Sequence, residues 1–249
     1  MDKGKLKILK MKDDSDSFAT KKKGLFNLPM RLLIISKTGE GKSNLLGNLL
    51  LRDEFYKKDF MPENVFIFTG SLQGDRKMRT IIEELDIPDS NLFDGFNNDT
   101  LNIVYDMLVD NFNENVEEGE RDPKKLNSLI IFDDLAFADT FKSGKKDDGI
   151  RRIFFNGRKY NISTVIISQK YSSVGTSLRE NASGIILGKS SNKQLELVEA
   201  DHNYLKDGKK AFMKMYRETT NSDPFGKLII NFTEPHIYFN HDFEKVKYS

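Results

Sequence analysis

Apolar residues fall along this chain in short, continuous runs. Residues 32–35 (Leu-Leu-Ile-Ile), 64–69 (Asn-Val-Phe-Ile-Phe-Thr), 128–132 (Ser-Leu-Ile-Ile-Phe), 164–168 (Thr-Val-Ile-Ile-Ser) and 184–187 (Gly-Ile-Ile-Leu) show little polar alternation. Runs of that length, rich in Ile, Val and Phe and bounded by turn residues, predict strands buried on both faces. Two late strands are predicted at 228–232 and 236–239. Between the runs the period changes. Leu101, Val104, Tyr105, Leu108 and Phe112 share one helical face. Further helices are predicted over 77–85, 150–156 and 193–200, and an amphipathic one begins near Lys42. Strands alternating with helices predict an α/β fold, a mostly parallel central sheet flanked by helices on both faces. Ligands of such sheets collect at the carboxyl ends of the strands.

Three of the predicted strands end in candidate chemistry. The first runs into Ser36-Lys37-Thr38-Gly39-Glu40-Gly41-Lys42-Ser43-Asn44, and the helix follows at once. Strand, glycine turn and helix are what a Walker A phosphate-binding loop requires. Glycine lets backbone N–H groups face a phosphate, and the helix N-terminus adds its positive end. Lys42 would reach the β- and γ-phosphates, and the Ser43 hydroxyl would ligate Mg²⁺. Ser36 stands where the pattern has its first glycine, so the turn opens with a residue that carries a Cβ. The plainer reading is a glycine turn between an ordinary strand and helix.

The strand at 128–132 delivers Asp133 and Asp134 to its tip. An apolar strand ending in carboxylates is the Walker B arrangement. Asp133 is assigned to the metal, and Asp134 to the water it would orient or deprotonate. Alone, such a pair would read as a turn cap. The strand at 164–168 ends at Gln169, which could bond both a γ-phosphate and the lytic water, or could be a plain surface amide.

Bulk properties narrow the class. With 249 residues the chain is long enough for one α/β domain and short for two. Hydrophobic residues make up 38% and charged residues 31%, and no run approaches the roughly 20 apolar residues of a membrane span. The lysine-rich start has no apolar stretch after it, so no secretory signal is expected. The absence of cysteine excludes disulfides and thiolate metal sites. Net charge is only +1, so any DNA contact must come from local basic segments. Residues 1–24 read as a basic, mobile or edge-lying arm, solvated rather than DNA-touching, leaving 25–249 as one domain. The stretch 114–122 is acidic. The loop 141–149 is polar and locally basic, with Lys142, Lys145 and Lys146 as candidate DNA contacts or simply a solvated turn. No internal repeat or low-complexity block is present.

Beyond these motifs the chain carries Gly157-Arg158-Lys159-Tyr160-Asn161-Ile162-Ser163 feeding the strand that ends in Gln169, then Leu178-Arg179-Glu180-Asn181-Ala182, with Leu28-Pro29-Met30-Arg31 ahead of the phosphate loop. This combination resembles the FtsK–HerA superfamily of DNA-pumping ATPases. It is most similar to the genome-packaging branch of poxviruses, other large DNA viruses, virophages and related elements. The resemblance covers about residues 26–232. It implies an additional-strand RecA-like P-loop core with the Gln169 strand between the Walker A and Walker B strands. It further implies ATP and Mg²⁺ as cofactors and a homo-oligomeric ring, a pentamer or hexamer, around double-stranded DNA. Each ATP site would be completed by a neighbour's arginine, a role carried to Arg158 and, second, to Arg179. Capsid or portal-vertex partners and a location in host cytoplasm, viral factory or virion are implied as well. Asp134 departs from the glutamate of relatives elsewhere in the superfamily. A nucleotide or small-molecule kinase is the competing enzyme class; it would need an arginine-rich lid and no glutamine at the strand end. A non-hydrolysing capsid scaffold is the competing non-enzyme class, and would leave Lys42, Asp134 and Gln169 without work.

Overall fold

The computed structural model describes residues 18–72, 74–135, 149–232 and 236–247. Eight strands form one sheet: β1 Arg31–Ile35, β2 Val65–Thr69, β3 Leu92–Asp94, β4 Ser128–Asp133, β5 Ile162–Ser168, β6 Gly184–Leu187, β7 Leu228–Asn231 and β8 Ile237–Phe239, in the order β3-β2-β4-β5-β1-β6-β7-β8. The first six are parallel; β7 and β8 add antiparallel to one edge. β2, β4, β5 and β6 are buried at every position and β1 at all but Arg31. That burial is why these strands read as unbroken apolar runs. β5, the glutamine-bearing strand, lies between β1 and β4, the order the resemblance implies.

Helices cover both faces. Leu32 and Ile34 point to a core closed by α1 (Lys42–Leu51) through Leu46, Leu49 and Leu50, and by α2 (Arg76–Glu84) through Met78 and Ile81. Leu33 and Ile35 point the other way. There α3 (Asn98–Glu117) buries the five residues its periodicity marked. The longer bounds of α3 follow from its cap: the Asn97 side chain accepts a hydrogen bond from Thr100 N–H at 3.0 Å, ahead of the apolar stripe. After α4 (Pro123–Leu126), the same face is completed by α5 (Gly149–Asn156), α6 (Thr176–Asn181), α7 (Asn192–His202) and α8 (Gly208–Asn221).

Each predicted strand is present within two residues of its expected bounds. Four elements were not predicted: β3, α8 and the short helices α4 and α6. β3 has three residues on the sheet edge and no apolar run to announce it. In α8, Phe212, Met215, Tyr216 and Thr219 do repeat at helical spacing, but intervening Lys, Arg, Glu and Thr dilute the signal. Residues 18–24, expected within a mobile or edge-lying arm, lie against the body. Thr20 bridges Leu28, Lys22 pairs with Asp59, and Asn161 donates to Phe18 O.

One tyrosine ties the entry to β1 onto the segment after α1. Tyr56 is 1% exposed; its hydroxyl accepts from Phe26 N–H at 2.9 Å and donates to Phe26 O at 3.0 Å. Both backbone groups are buried, so Tyr56→Phe should lower unfolding stability by about 1–3 kcal/mol in urea titration without altering the far-UV spectrum. A loss below a few tenths would show that water replaces the hydroxyl.

Candidate active site

The carboxyl ends of β1, β4 and β5 bring the predicted groups together. A cleft of about 180 Å³ is lined by Thr38, Gly39, Gly41, Lys42, Ser43, Asp133, Asp134 and Gln169, together with Ser71 and Asp75 from the segment between β2 and α2 and Lys77 from the first turn of α2. Gly39 and Gly41 have φ of +82° and +79°, values that glycine takes at no steric penalty. The loop thus curls over the start of α1 in a form suited to anions. Lys42 Nζ donates to Lys37 O at 3.1 Å. Burial pulls the Lys42 pKa below its ordinary value, while Asp134, Asp133 and Glu40 oppose the shift.

Asp133 is buried, and its pKa is pushed up to about 6, first by desolvation, then by the charges of Asp134 and Asp75; Lys42 and a hydrogen bond from Thr69 partly offset this. Asp134 sits at φ +50°, a left-handed conformation that aspartate tolerates better than most residues and that turns the chain out of β4. Its Oδ1 accepts from Gln169 Nε2 at 3.1 Å. The two side chains from adjacent strands therefore already touch.

Asp75 was not singled out from the sequence. Its Oδ1 caps α2 by accepting from Lys77 N–H at 2.8 Å and Met78 N–H at 3.2 Å, and its Oδ2 accepts from Ser43 Oγ at 3.1 Å. The signal was an aspartate just after the second strand and just before an amphipathic helix, an N-cap at a carboxyl strand end. The Ser43 hydroxyl donates to Asp75, so its lone pairs are turned to other use. With the Asp133 carboxylate it makes a pair of hard oxygen donors of the kind Mg²⁺ takes, and the nearby Asp75 and Asp134 add negative charge that favours a cation. Among the described residues no group of three or more His, Cys, Asp or Glu could hold a metal unaided. Mg²⁺ normally completes its shell with water and phosphate oxygens.

Ser36 lies outside the cleft, fully buried beneath the loop, and its Oγ has no hydrogen-bond partner among the described residues. The side chain fits because residue 188, just past β6, is glycine. A Cβ there would overlap Ser36 Oγ and stand 2.8 Å from Ser36 Cβ. Asn44 lies on the exposed side of α1 and lines a neighbouring cavity.

The two arginines fall elsewhere. Arg158 is exposed in the 3₁₀ turn Gly157–Tyr160, at the amino end of β5. Seven strand residues at a rise of about 3.3 Å place it about 23 Å from Gln169, so it cannot serve its own cleft. It stands near Arg31, whose pKa is lowered by burial first and by Arg158 second. Arg179 is committed within its own chain. Its Nη1 donates to Asp201 Oδ2 at 2.6 Å, its guanidinium lies 4.6 Å from the Tyr171 ring centroid, and its side chain is 12% exposed. The basic loop 141–149 lies outside the described residues except for Gly149.

Comparison with known proteins places this geometry in context. The family described as Poxvirus A32 protein matches residues 17–231. No curated protein matches. Among solved structures, the genome packaging NTPase B204 of Sulfolobus turreted icosahedral virus 2, in complex with AMP, is 14% identical over 87% of this chain and 97% of its own, with a TM-score of 0.58. Its complex with ATP-gammaS gives 13%, 84%, 95% and 0.51. The pCW3 conjugation coupling protein TcpA, monomer form with ATPgS, is 15% identical over 85% of this chain and 60% of its own, with a TM-score of 0.51. At these identities the likeness is one of fold.

The charge in the cleft and the packing beneath the phosphate loop can each be tested. A raised carboxyl pKa means that the folded protein holds the Asp133 proton more tightly than the unfolded chain does. Stability should therefore fall as pH rises from about 4 to about 6, and stay lower above that. Asp133→Asn should accordingly stabilise the nucleotide-free protein at pH 8 by about 1–3 kcal/mol, with the gain shrinking below pH 6 in urea titrations. An unchanged or lower stability at pH 8 would mean that the carboxylate is well solvated. Separately, Gly188→Ala should destabilise by about 1–3 kcal/mol through overpacking, and adding Ser36→Gly should restore most of the loss; strict additivity would show that the two residues do not share this space.

Proposed function

Because this chain belongs to the poxvirus A32 protein family, we propose that it is an ATP-hydrolysing motor that drives viral double-stranded DNA into a capsid. The observation that carries the reading is the meeting of Lys42, Ser43, Asp133, Asp134 and Gln169 in one cleft, with the Gln169 strand between the other two. A phosphate cradle alone would suit many nucleotide-binding proteins. A carboxylate hydrogen-bonded to a strand-end glutamine beside it supplies what water attack on a γ-phosphate needs.

In this mechanism Lys42 leaves Lys37 O for the β- and γ-phosphates and offsets charge as the bond to the leaving oxygen breaks. Ser43 and Asp133 would hold Mg²⁺, which when bound would offset the charge of the phosphates. Gln169 holds one oxygen of Asp134, and the other takes a proton from the attacking water as its oxygen bonds to phosphorus. The products are ADP and phosphate. Arg158 faces away from its own cleft and acts on a neighbour's, in a homo-oligomeric ring. Arg179 braces the segment after Gln169 instead. DNA passes through the ring by backbone contacts, at the capsid or portal vertex, in host cytoplasm, viral factory or virion. No helix among the described residues is long and apolar enough to cross a membrane. A kinase reading has no comparable observation behind it: Gln169 and Asp134 place a water-handling pair where a kinase needs an acceptor.

ATP hydrolysis measured with and without duplex DNA, over a range of protein concentrations, tests the motor. DNA stimulation and a rise in specific activity with concentration are expected; the absence of both would count against a ring translocase. Lys42→Ala should abolish turnover, and Asp134→Asn should bind ATP but not hydrolyse it. Arg158→Ala mixed with Lys42→Ala should regain part of the activity that each lacks alone, and no recovery would remove the trans role.

A further inference from the structure

A guanidinium drawn into the body of a protein normally comes with a carboxylate, because its charge cannot be shed and an unpaired charge is costly there. Arg179 obeys that rule: its side chain is 12% exposed and Asp201 holds it at 2.6 Å. Arg31 does not. It opens β1 and shares a face with Leu33 and Ile35, while Leu32 points the other way. Its Nε is enclosed and has no hydrogen-bond partner, and among the described residues it enters no ion pair. Its pKa is lowered by burial and then by Arg158, with no carboxylate to oppose either.

The surroundings add to the imbalance. Thr164 of β5 is the register partner of Arg31; it is fully buried, and its Oγ1 also lacks a partner among the described residues. Ile162 and Ile166, on either side of Thr164, belong to the same core layer as Leu33 and Ile35, so the hydroxyl and the arginine leave the sheet on one face at one level. Arg158, in the exposed turn Gly157–Tyr160 beside the exposed Lys159, likewise has no ion pair among the described residues. Arg52 and Arg152, equally at the surface, are paired with Glu54 and Asp106. Two guanidinium groups and an enclosed, unused donor thus meet at the amino ends of β1 and β5, with no negative group built in against them.

Charge and shape narrow what would balance them. A carboxylate neutralises one arginine and leaves the other. A phosphodiester of a nucleic-acid backbone also carries a single charge. A terminal phosphate carries close to two negative charges at neutral pH and presents three oxygens, enough for two guanidinium forks. The phosphate cleft lies at the other end of these strands, so the ligand is not this chain's own nucleotide.

We propose that Arg31 and Arg158 form an oxyanion site for a terminal phosphate group, the dianionic end of a nucleotide held by a second copy or of a nucleic-acid strand. Arg31, on the strand, supplies the fixed fork, and Arg158, on the turn, the exposed one. Phosphate binding here depends on neither the phosphate loop nor assembly.

Lys42→Ala protein, with the phosphate loop disabled, isolates the site. Its thermal unfolding is followed at pH 8 with inorganic phosphate and with dimethyl phosphate, at constant ionic strength. Phosphate at several times its dissociation constant should raise the unfolding temperature by about 2–4 °C, and the monoanionic diester should not. Adding Arg31→Met should abolish that gain. It should also raise the unfolding temperature without anion, because an apolar side chain replaces an unpaired charge. Arg31→Lys, which keeps the charge but not the fork, should retain part of the gain. An equal gain with and without Arg31→Met, an equal gain from the diester, or a lower anion-free unfolding temperature in Arg31→Met overturns the site and leaves the hydrolytic cleft standing. Two further arms separate the sources. Recovery of ATP hydrolysis when Arg31→Met subunits are mixed with Lys42→Ala subunits assigns the phosphate to a neighbour's nucleotide. Tighter binding of duplex DNA with a 5′-phosphate than with a 5′-hydroxyl, by a margin that Arg31→Met removes, assigns it to a strand end. Absence of both results reduces the phosphate response to an adventitious ion only and overturns the proposal.

Discussion

The parallel pairing of β4, β5 and β1 is the constraint on which the rest depends. Their interiors are buried on both faces, so polar side chains along them would need partners inside the core. Charge is excluded until the carboxyl tips, where three chains of backbone end side by side and loops leave in different directions. The register, with Asp133 opposite Ile167 and Ile35 opposite Ser168, brings the loop of one strand, the carboxylates of the second and the glutamine of the third within a few ångströms. A shift of β5 to the sheet edge would leave each motif intact and separate their chemistry.

Gathering charge there has an energetic consequence. Asp133, Asp134 and Asp75 crowd one region with Lys42 as the nearby cation, and Asp133 responds by holding its proton up to about pH 6. Such a cluster opposes folding in isolation and favours a cation or a reorganised partner, a tension expected where a site serves chemistry before stability. The Gln169–Asp134 hydrogen bond and the capping of α2 by Asp75 limit the number of arrangements the cluster can take.

The antiparallel edge has more than a covering role. Gly188, at the end of β6, makes room for Ser36, so the unusual first residue of the phosphate loop is answered by a glycine more than a hundred positions later. The turn before β7 sets Phe225 against Gly41. Both contacts link the loop to the sheet's far side, away from the hydrolytic residues. On the opposite end of the sheet, the exposed Arg158 stands beside Arg31, far from the cleft.

Much was legible in the sequence because two of its signals are local. Unbroken apolar runs are a direct imprint of strands buried on both faces, and the α3 stripe an imprint of one buried helical face. The phosphate loop, the paired aspartates and Gln169 each sit at the end of such a run, so their shared location followed from the general rule for carboxyl strand ends. Resemblance added the strand order, which no local pattern contains. Tertiary structure alone decided what depends on contacts between distant segments. The pairing of Ser43 with Asp75, the fit of Ser36 against Gly188, the retention of Arg179 by Asp201 and the cavity beside α1 join residues from about 20 to nearly 200 positions apart. Their proximity is set by how the sheet orders its strands, and a one-dimensional pattern carries no record of which turn will lie over which loop.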